Sequence, residues 1–388
     1  MSSPDLTALE LLETLVAFDT TSRNSNLELI DFASEYLKRH GIDSELVHDE
    51  TGSKANLYAT VGPRRDGGIV LSGHTDVVPV DGQDWDTDPF VLHESGGKLY
   101  GRGTADMKGF CAAALAMVPE FLNRELDVPI HLAFSYDEEV GCVGVHGLVP
   151  HVTVPGMTPK AVIVGEPTSM RVVNAHKGIR GFRTVVTGLE AHSSATHKGV
   201  NAVMIAADLI AYLSRVAGEE IEAAHPESRF DPPYTSVSVG PISGGTALNI
   251  IPKQCSFLWE YRALPGRNEE EILDGFTRYV NEIVLPKAKS VSEAADIETT
   301  SLARVPPLVP DSDTSVETLI MALAGTNQSF TVSYGTEAGV FREAGIPAVV
   351  CGPGDIMQAH RPNEFIAISE IEACIGFLRR VLDHVAQD

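Results

Sequence analysis

Between residues 67 and 167 the chain alternates between two periods. "GGIVLSGHTDVV" (67 to 78) is an apolar run of strand length, and "ADMKGFCAAALAMVPEFLNR" (105 to 124) has the length and spacing of a helix. "VPIHLAFSYDEEVG" (128 to 141) returns to strand, a helix follows near 144 to 150, and "KAVIVGEP" (160 to 167) is another short strand. Helical stretches between successive strands are what parallel pairing requires, because a parallel neighbour is reached only by a long crossover. The pattern predicts an α/β fold with a mixed, partly parallel sheet and helices on both faces. In such sheets functional groups gather beyond the carboxyl ends of the strands.

From about residue 179 the rhythm changes. "IRGFRTVVTG" is a strand, "GVNAVMIAADLIAYLSRVAG" an amphipathic helix, and "TSVSVGPISGG" and "CSFLWEYRALP" two strands in succession. "NEEEILDGFTRYVNEIVLPKA" is a helix opened by Asn268, and "ADIETTSLARV" is a last strand. The order βαββαβ is that of a ferredoxin-like sandwich. At 388 residues the chain exceeds what one core usually serves. Two domains are therefore expected, one from 1–178 and 309–388 and an inserted one from 179–308. In the returning part a helix is expected near 313 to 325, then the strand "PAVVCGPG" and a closing helix from "SEIEACIGFLRRVLDHVAQ".

A net charge of −24 leaves no basic face for nucleic acid or an anionic membrane. No stretch of eighteen apolar residues is present, so no spanning helix is expected. "MSSPDLTALELLETL" reads as an amphipathic helix capped by Ser3 or Asp5, not as a signal peptide. Five widely spaced cysteines in apolar or small surroundings read as buried thiols of a cytoplasmic protein.

The strands end on unusual residues. His74 and Asp76 in "SGHTDVVP" lie two apart, which puts both side chains on one face of an extended chain, where a carboxylate can orient an imidazole. Asp106 in "GRGTADMKG" stands at a helix mouth, where the ordinary role is a cap. Glu138 and Glu139 in "YDEEVG" point opposite ways if extended, so one site uses them in different roles or they form a solvated acidic turn. Glu166 in "VGEPTS" ends the next strand, where a turn residue is the bland alternative. His360 follows the glycine-rich turn after another. Separately each has an ordinary explanation. Together His74, Asp106, Glu139, Glu166 and His360 supply two imidazoles and three carboxylates. With one carboxylate bridging, that set suits two divalent ions, and Glu138 remains over. Zinc, cobalt and manganese all accept such mixed ligands. A dinucleotide-binding oxidoreductase is excluded, because no GxGxxG opens a helix after the first strand.

"SGHTDVVP", "GRGTADMKGF", "DEEVG", "GEPT" and "QAHRPNE" closely resemble the motifs of the aminoacylase, acetylornithine deacetylase and succinyl-diaminopimelate desuccinylase family of co-catalytic zinc amidohydrolases. The resemblance runs over nearly the whole chain. It is strongest to the acetylornithine deacetylase branch, through "VGEPTSMRVVNAHKGIRGFRTVVTGLEAHSSATHKGVNA" and "TEAGVFREAGIPAVVCGPGDIMQAHRPNE". It implies a zinc-exopeptidase-like catalytic domain with the inserted domain as lid and dimerisation element. It implies one ion on His74 and Glu166, another on Glu139 and His360, and Asp106 bridging. Glu138 would be the general acid/base, Asp76 the orienter of His74, and Asp106–Met107 a cis peptide. The same resemblance implies that His192 reaches the active site of a partner subunit in a homodimer, and that Asn249 and Arg262 bind substrate, the guanidinium forking an α-carboxylate. Lys177 and the "GPG" turn (352 to 354) would line the pocket or hinge.

The implied reaction removes the acetyl group from N-acetyl-L-ornithine, giving ornithine and acetate in arginine biosynthesis. Succinyl-diaminopimelate, other N-acyl amino acids and small peptides are the alternatives, because an apolar pocket separates acyl chains poorly. A non-catalytic relative is disfavoured by the complete ligand set with Glu138.

Overall fold

The computed structural model describes residues 5–386, which group into two compact units. One runs up to Ala175 and resumes over Leu308–Thr331 and from Thr336 onward; the other is His176–Pro307 with Val332–Gly335. The first opens with α1 (Ala8–Val16), α2 (Leu27–Arg39), β1 (Ser44–His48), β2 (Ala55–Val61) and β3 (Ile69–His74). It continues through β4 (His93–Ser95), β5 (Lys98–Tyr100), α3 (Lys108–Ala116), α4 (Val118–Leu122) and β6 (Ile130–Ser135). Next come α5 (Val145–Val152), β7 (Ala161–Pro167) and β8 (Val172–His176). The inserted stretch holds β9 (Gly178–Thr187), α6 (Ala202–Glu222), β10 (Ser236–Gly244), β11 (Gln254–Ala263), α7 (Glu271–Tyr279), α8 (Leu285–Lys289) and β12 (Asp296–Val305). The chain then returns with α9 (Ser315–Ala324), β13 (Ser329–Val332), α10 (Ala338–Glu343), β14 (Ala348–Gly352), β15 (Phe365–Ala367) and α11 (Ile368–Val385).

Eight strands form the main sheet in the order β1-β2-β6-β3-β7-β14-β8-β13. Its centre, β6-β3-β7-β14, is parallel, while β2 and β8 run against their neighbours. Every residue of β3, β6 and β7 is buried. That is why these strands read as continuous apolar runs without alternation: helices cover both faces. α1, α3 and α11 pack together against one face, α5 and α10 against the other. β14 presses on β7 so closely that a side chain at Gly352 would sit 2.0 Å from the Gly165 carbonyl oxygen.

Several boundaries differ from expectation. Thr7, not Ser3 or Asp5, caps α1, sharing a reciprocal capping box with Glu10. Asp5 lies before the helix, and Ser3 is outside the described residues. The helix expected over 105 to 124 begins at Lys108 and divides at Met117, with Pro119 in the first turn of α4. Asn268 precedes α7, and a π-turn over Val280–Val284 interrupts the helix that follows. β6 stops at Ser135, so Glu138 and Glu139 stand in a turn entered through Asp137, whose φ is +54°.

The second unit is a four-stranded antiparallel sheet ordered β10-β11-β9-β12. α6 carries its buried residues Ala202, Ala206, Leu209, Leu213 and Val216 at helical spacing. Asn201 caps it, its side chain accepting from the Met204 amide at 3.0 Å. Alternate residues of β11 are buried, and Trp259 stacks on Phe182 with centroids 4.5 Å apart and lies 4.7 Å from Phe276. The Trp259 indole donates to the Thr184 hydroxyl at 3.0 Å.

Candidate metal centre

The four parallel central strands deliver the acidic and imidazole groups to one end of the sheet. His74 is the last residue of β3, and Glu166 is next to last in β7, its parallel neighbour. Glu138 and Glu139 follow β6, and His360 follows β14. Asp106 comes just before α3, and its bond to Met107 is cis.

Asp106 occupies the middle. Its Oδ1 is 3.1 Å from His74 Nε2, and its Oδ2 is 3.4 Å from His360 Nε2. Each imidazole also has a glutamate: Glu166 lies 3.7 Å from His74 Nε2, and Glu139 lies 2.9 Å from His360 Nε2. Glu138 approaches His74 Nε2 at 4.0 Å. Ligand atoms of His74, Asp106 and Glu139 all lie within 4.8 Å of one another, as do those of His74, Glu138 and Glu166. His74 Nδ1 is 2.9 Å from the Asp76 carbonyl, which fixes that nitrogen as a donor and turns Nε2 toward the acids.

Asp76 was expected to orient His74 with its carboxylate. The carboxylate stands farther off, at 3.6 Å, and is engaged elsewhere. It accepts from the Ser22 hydroxyl at 2.7 Å and from the Glu138 and Glu139 amides at 3.0 and 3.3 Å. Asp76 therefore orients the ring through its backbone and anchors the Glu138–Glu139 turn through its side chain. Lys54 reinforces that turn by donating to Asp137 at 2.7 Å, and the Cys142 thiol donates to Glu138 at 3.3 Å.

This concentration of buried acid has too few positive partners. Burial, with the charges of Asp106 and Glu138, pushes the Glu166 carboxyl well above its ordinary range. Burial, opposed by His74 but helped by Glu139 and Asp106, does the same to Glu138. Glu139 rises to about 7 through burial and the Asp106 charge. The hydrogen bonds to Asp106 and Glu139 hold His360 up at about 10. Burial pulls on His74 in the other direction, yet its acidic neighbours keep it well above its ordinary value. Carboxylates desolvated this way ionise only beside added positive charge. With a donor set of imidazole nitrogen and carboxylate oxygen, the residues present fit a pair of divalent cations.

Two buried acids escaped the sequence reading. Glu337 is 1% exposed and accepts from the Ser72 hydroxyl at 3.2 Å and from the Ser135 hydroxyl, tying together the ends of β3 and β6. Glu364 is also 1% exposed and accepts from Arg102 at 2.7 Å. Both stand in motifs singled out above, but no local pattern separates an acid that will be buried from one on the surface.

His192, Asn249 and Arg262 belong to the second unit. His192 is exposed, bridges to Ile250, and its Nδ1 lies 2.8 Å from the Ser194 hydroxyl. The Ser193 amide donates to the Asn249 carbonyl at 3.0 Å, so these two segments are neighbours. Arg262, on β11, forks onto Glu260 at 3.2 and 3.4 Å. Lys177 is buried, its ammonium donating to the carbonyls of Pro232 and Tyr234 at 2.9 and 2.7 Å.

The profile of Peptidase family M20/M25/M40 matches residues 70–384. Acetylornithine deacetylase of Myxococcus xanthus is 35% identical over 380 residues, covering 96% of each chain. Acetylornithine deacetylase of Proteus mirabilis (strain HI4320) is 34% identical over 385 residues, 97% of this chain and 96% of the relative. Among solved structures, an M20 family metallo-carboxypeptidase from Sulfolobus solfataricus superposes with a TM-score of 0.78 at 18% identity, covering 97% of this chain and 98% of that one.

Proposed function

Because this chain belongs to peptidase family M20/M25/M40 and is a hydrolase acting on amide bonds, we propose that it is a two-cation deacylase removing the acetyl group from N-acetyl-L-ornithine. One observation carries the two-cation reading: the two oxygens of Asp106 face two different imidazoles, each with its own glutamate. His74 and Glu166 would hold one ion and Glu139 and His360 the other, with Asp106 available to both. Zinc is the first candidate, and cobalt or manganese suits the same donors.

When bound, such cations polarise an acyl carbonyl and acidify nearby water. Glu138 is the proton carrier. It lies beside the Asp106 cluster but is not needed as a ligand, and burial raises its pKa well above the ordinary carboxylate range, which favours a group that takes a proton and then returns it. It receives the proton of the attacking water at a carboxylate oxygen and delivers it to the departing nitrogen. Asp76 holds the turn that aims Glu138.

The second unit supplies substrate recognition and a homodimer contact in this reading. Around Ser193 and Ile250, Leu248 is fully exposed and Met204 is 70% exposed, and β10 is an edge strand of its sheet. An apolar patch beside an open edge suits a second copy of the chain. His192 then serves the partner's site as a hydrogen-bond donor. Arg262, already forked on Glu260, exchanges that carboxylate for the substrate's. All five cysteines are buried and free, which supports a reducing, cytoplasmic setting. The assignment of N-acetyl-L-ornithine, and of a place in arginine biosynthesis, is supported by the relatives' names.

A panel of N-acyl substrates tests it, with the acyl group stepped from acetyl to succinyl and the side chain from cationic to neutral and acidic. Zinc-loaded protein should show its highest kcat/KM on N-acetyl-L-ornithine. A succinyl preference would replace the substrate and leave the chemistry; no hydrolysis of any member would refute the deacylase reading.

A further inference from the structure

Glu364 follows His360 by four residues, yet its carboxylate is spent on the Asp106 loop. Its Oε1 accepts from the Ala105 and Asp106 amides at 2.9 and 3.1 Å. Its Oε2 accepts from the Gly103 amide at 3.1 Å and from Arg102 Nη1 at 2.7 Å. Arg102, also 1% exposed, extends the link: Nη1 donates to the Arg361 carbonyl at 3.3 Å and Nη2 to Gln83 Oε1 at 2.6 Å. Gln83 then closes the circuit by donating its Nε2 to the His360 carbonyl at 3.0 Å. Trp85 braces it, its indole donating to Gln83 Oε1 at 3.1 Å while its ring lies 5.1 Å from the Arg102 guanidinium.

His360 needs such support. Its side chain is 56% exposed, whereas that of His74 is 1% exposed, and its backbone stands at φ +63°, in the left-handed region. A residue there without a packed side chain is not held by its own preferences. Its ring meets Glu139 and Asp106, and its backbone is held by the closed set of bonds on either side, running through Gln83, Arg102 and Glu364 to the amide of Asp106.

We propose that Gln83, Arg102 and Glu364 are positioning residues that set the spacing between Asp106 and His360 and thereby govern binding of the second cation. The inference rests on the two-cation reading of the site. A buried, hydrogen-bonded ion pair suits the task because its geometry is fixed by several bonds at once, and losing one partner strands the other. Supporting groups of this kind commonly alter metal affinity by about 10–100-fold.

The test is calorimetric titration of zinc into metal-free, full-length protein, comparing wild type with Gln83→Ala, Glu364→Gln and His360→Ala. Near-ultraviolet circular dichroism first establishes that each variant is folded. Wild type should bind two equivalents and His360→Ala one. In Glu364→Gln the amide oxygen can still serve Ala105 and Asp106, while the bonds from Arg102 and the Gly103 amide are lost. Both that variant and Gln83→Ala should keep the first equivalent and bind the second about 10–100-fold more weakly. Equal affinities in wild type and both variants, or equal weakening of both equivalents, would overturn the positioning role. Wild type binding fewer than two would instead overturn the two-cation reading. Should Glu364→Gln not fold, Gln83→Ala decides alone, since Gln83 is only partly buried.

Discussion

Stripping the cations should reverse the ordinary pH dependence of stability. In the metal-free protein Glu138, Glu139 and Glu166 confront one another and Asp106, with His74 and His360 as their imidazole partners. Each of the three glutamates has its pKa raised in the fold. The native state therefore holds protons that the unfolded chain has released. Stability from such groups is complete below about pH 4.5 and is lost as pH climbs through the folded values. His74 and His360, also raised, have the same sign: their contribution is present below about 6.5 and fades toward higher pH. The depressed Asp106 and Asp76 have the opposite sign: their contribution is complete across this window and is lost only as pH falls below about 3.8. For Glu139, a rise from 4.5 to about 7 is worth about 3 kcal/mol at roughly 1.36 kcal/mol per pH unit. In a unit of this size that lowers the melting midpoint by about 6–12 °C. The assay is differential scanning fluorimetry at pH 5, 6, 7 and 8, with chelator and with excess zinc. General acidic repulsion acts on both forms, so the gap between them isolates the cluster. That gap should widen steadily with pH. A chelated protein as stable at pH 8 as at pH 5, or a gap that stays constant, would refute the reasoning.

Three further outcomes follow from the same geometry. Glu138→Gln should retain two zinc equivalents by elemental analysis while kcat falls by about 10²–10⁴; near-normal turnover would remove Glu138 from the chemistry. Gly165→Ala should cost about 1–3 kcal/mol and weaken metal retention, because the new methyl group would lie 2.0 Å from the Phe110 ring beside Glu166. Thermal melting with metal analysis checks both effects. Leu248→Asp should shift the sedimenting species from dimer to monomer, and an unchanged sedimentation coefficient would move the dimer contact elsewhere.

The parallel centre of the sheet was legible because burial on both faces leaves a direct mark, an unbroken apolar run. Its acidic and imidazole ends were legible because each breaks such a run. The edge strands β1 and β13 and the small sheet of β4, β5 and β15 left weaker marks, being short or flanked by polar residues. The extended reading of Glu138 and Glu139 reached different roles for the pair through the wrong geometry. The left-handed Asp137 starts a turn, and that turn, not strand alternation, separates them. Asp76 shows a similar limit. Spacing of two puts it beside His74, but only the fold reveals that its carboxylate belongs to the neighbouring turn. Arg102, Lys108, Glu337 and Glu364 are buried charges whose partners lie far along the chain. Nothing local distinguishes them from surface charges.

β14 lies between β7 and β8 in the sheet although the whole inserted unit is made before it. During synthesis, at about 5–20 residues per second, a gap must therefore stay open beside β7 until the last strand of the parallel set emerges. His360 arrives with the loop that follows. A ribosome-bound chain carrying His74, Asp106, Glu139 and Glu166 already has every acid of the cluster and lacks its second base. If the two-cation reading holds, hydrolytic competence is reserved for chains translated almost to their end, and shortened products would carry the acids without the second imidazole.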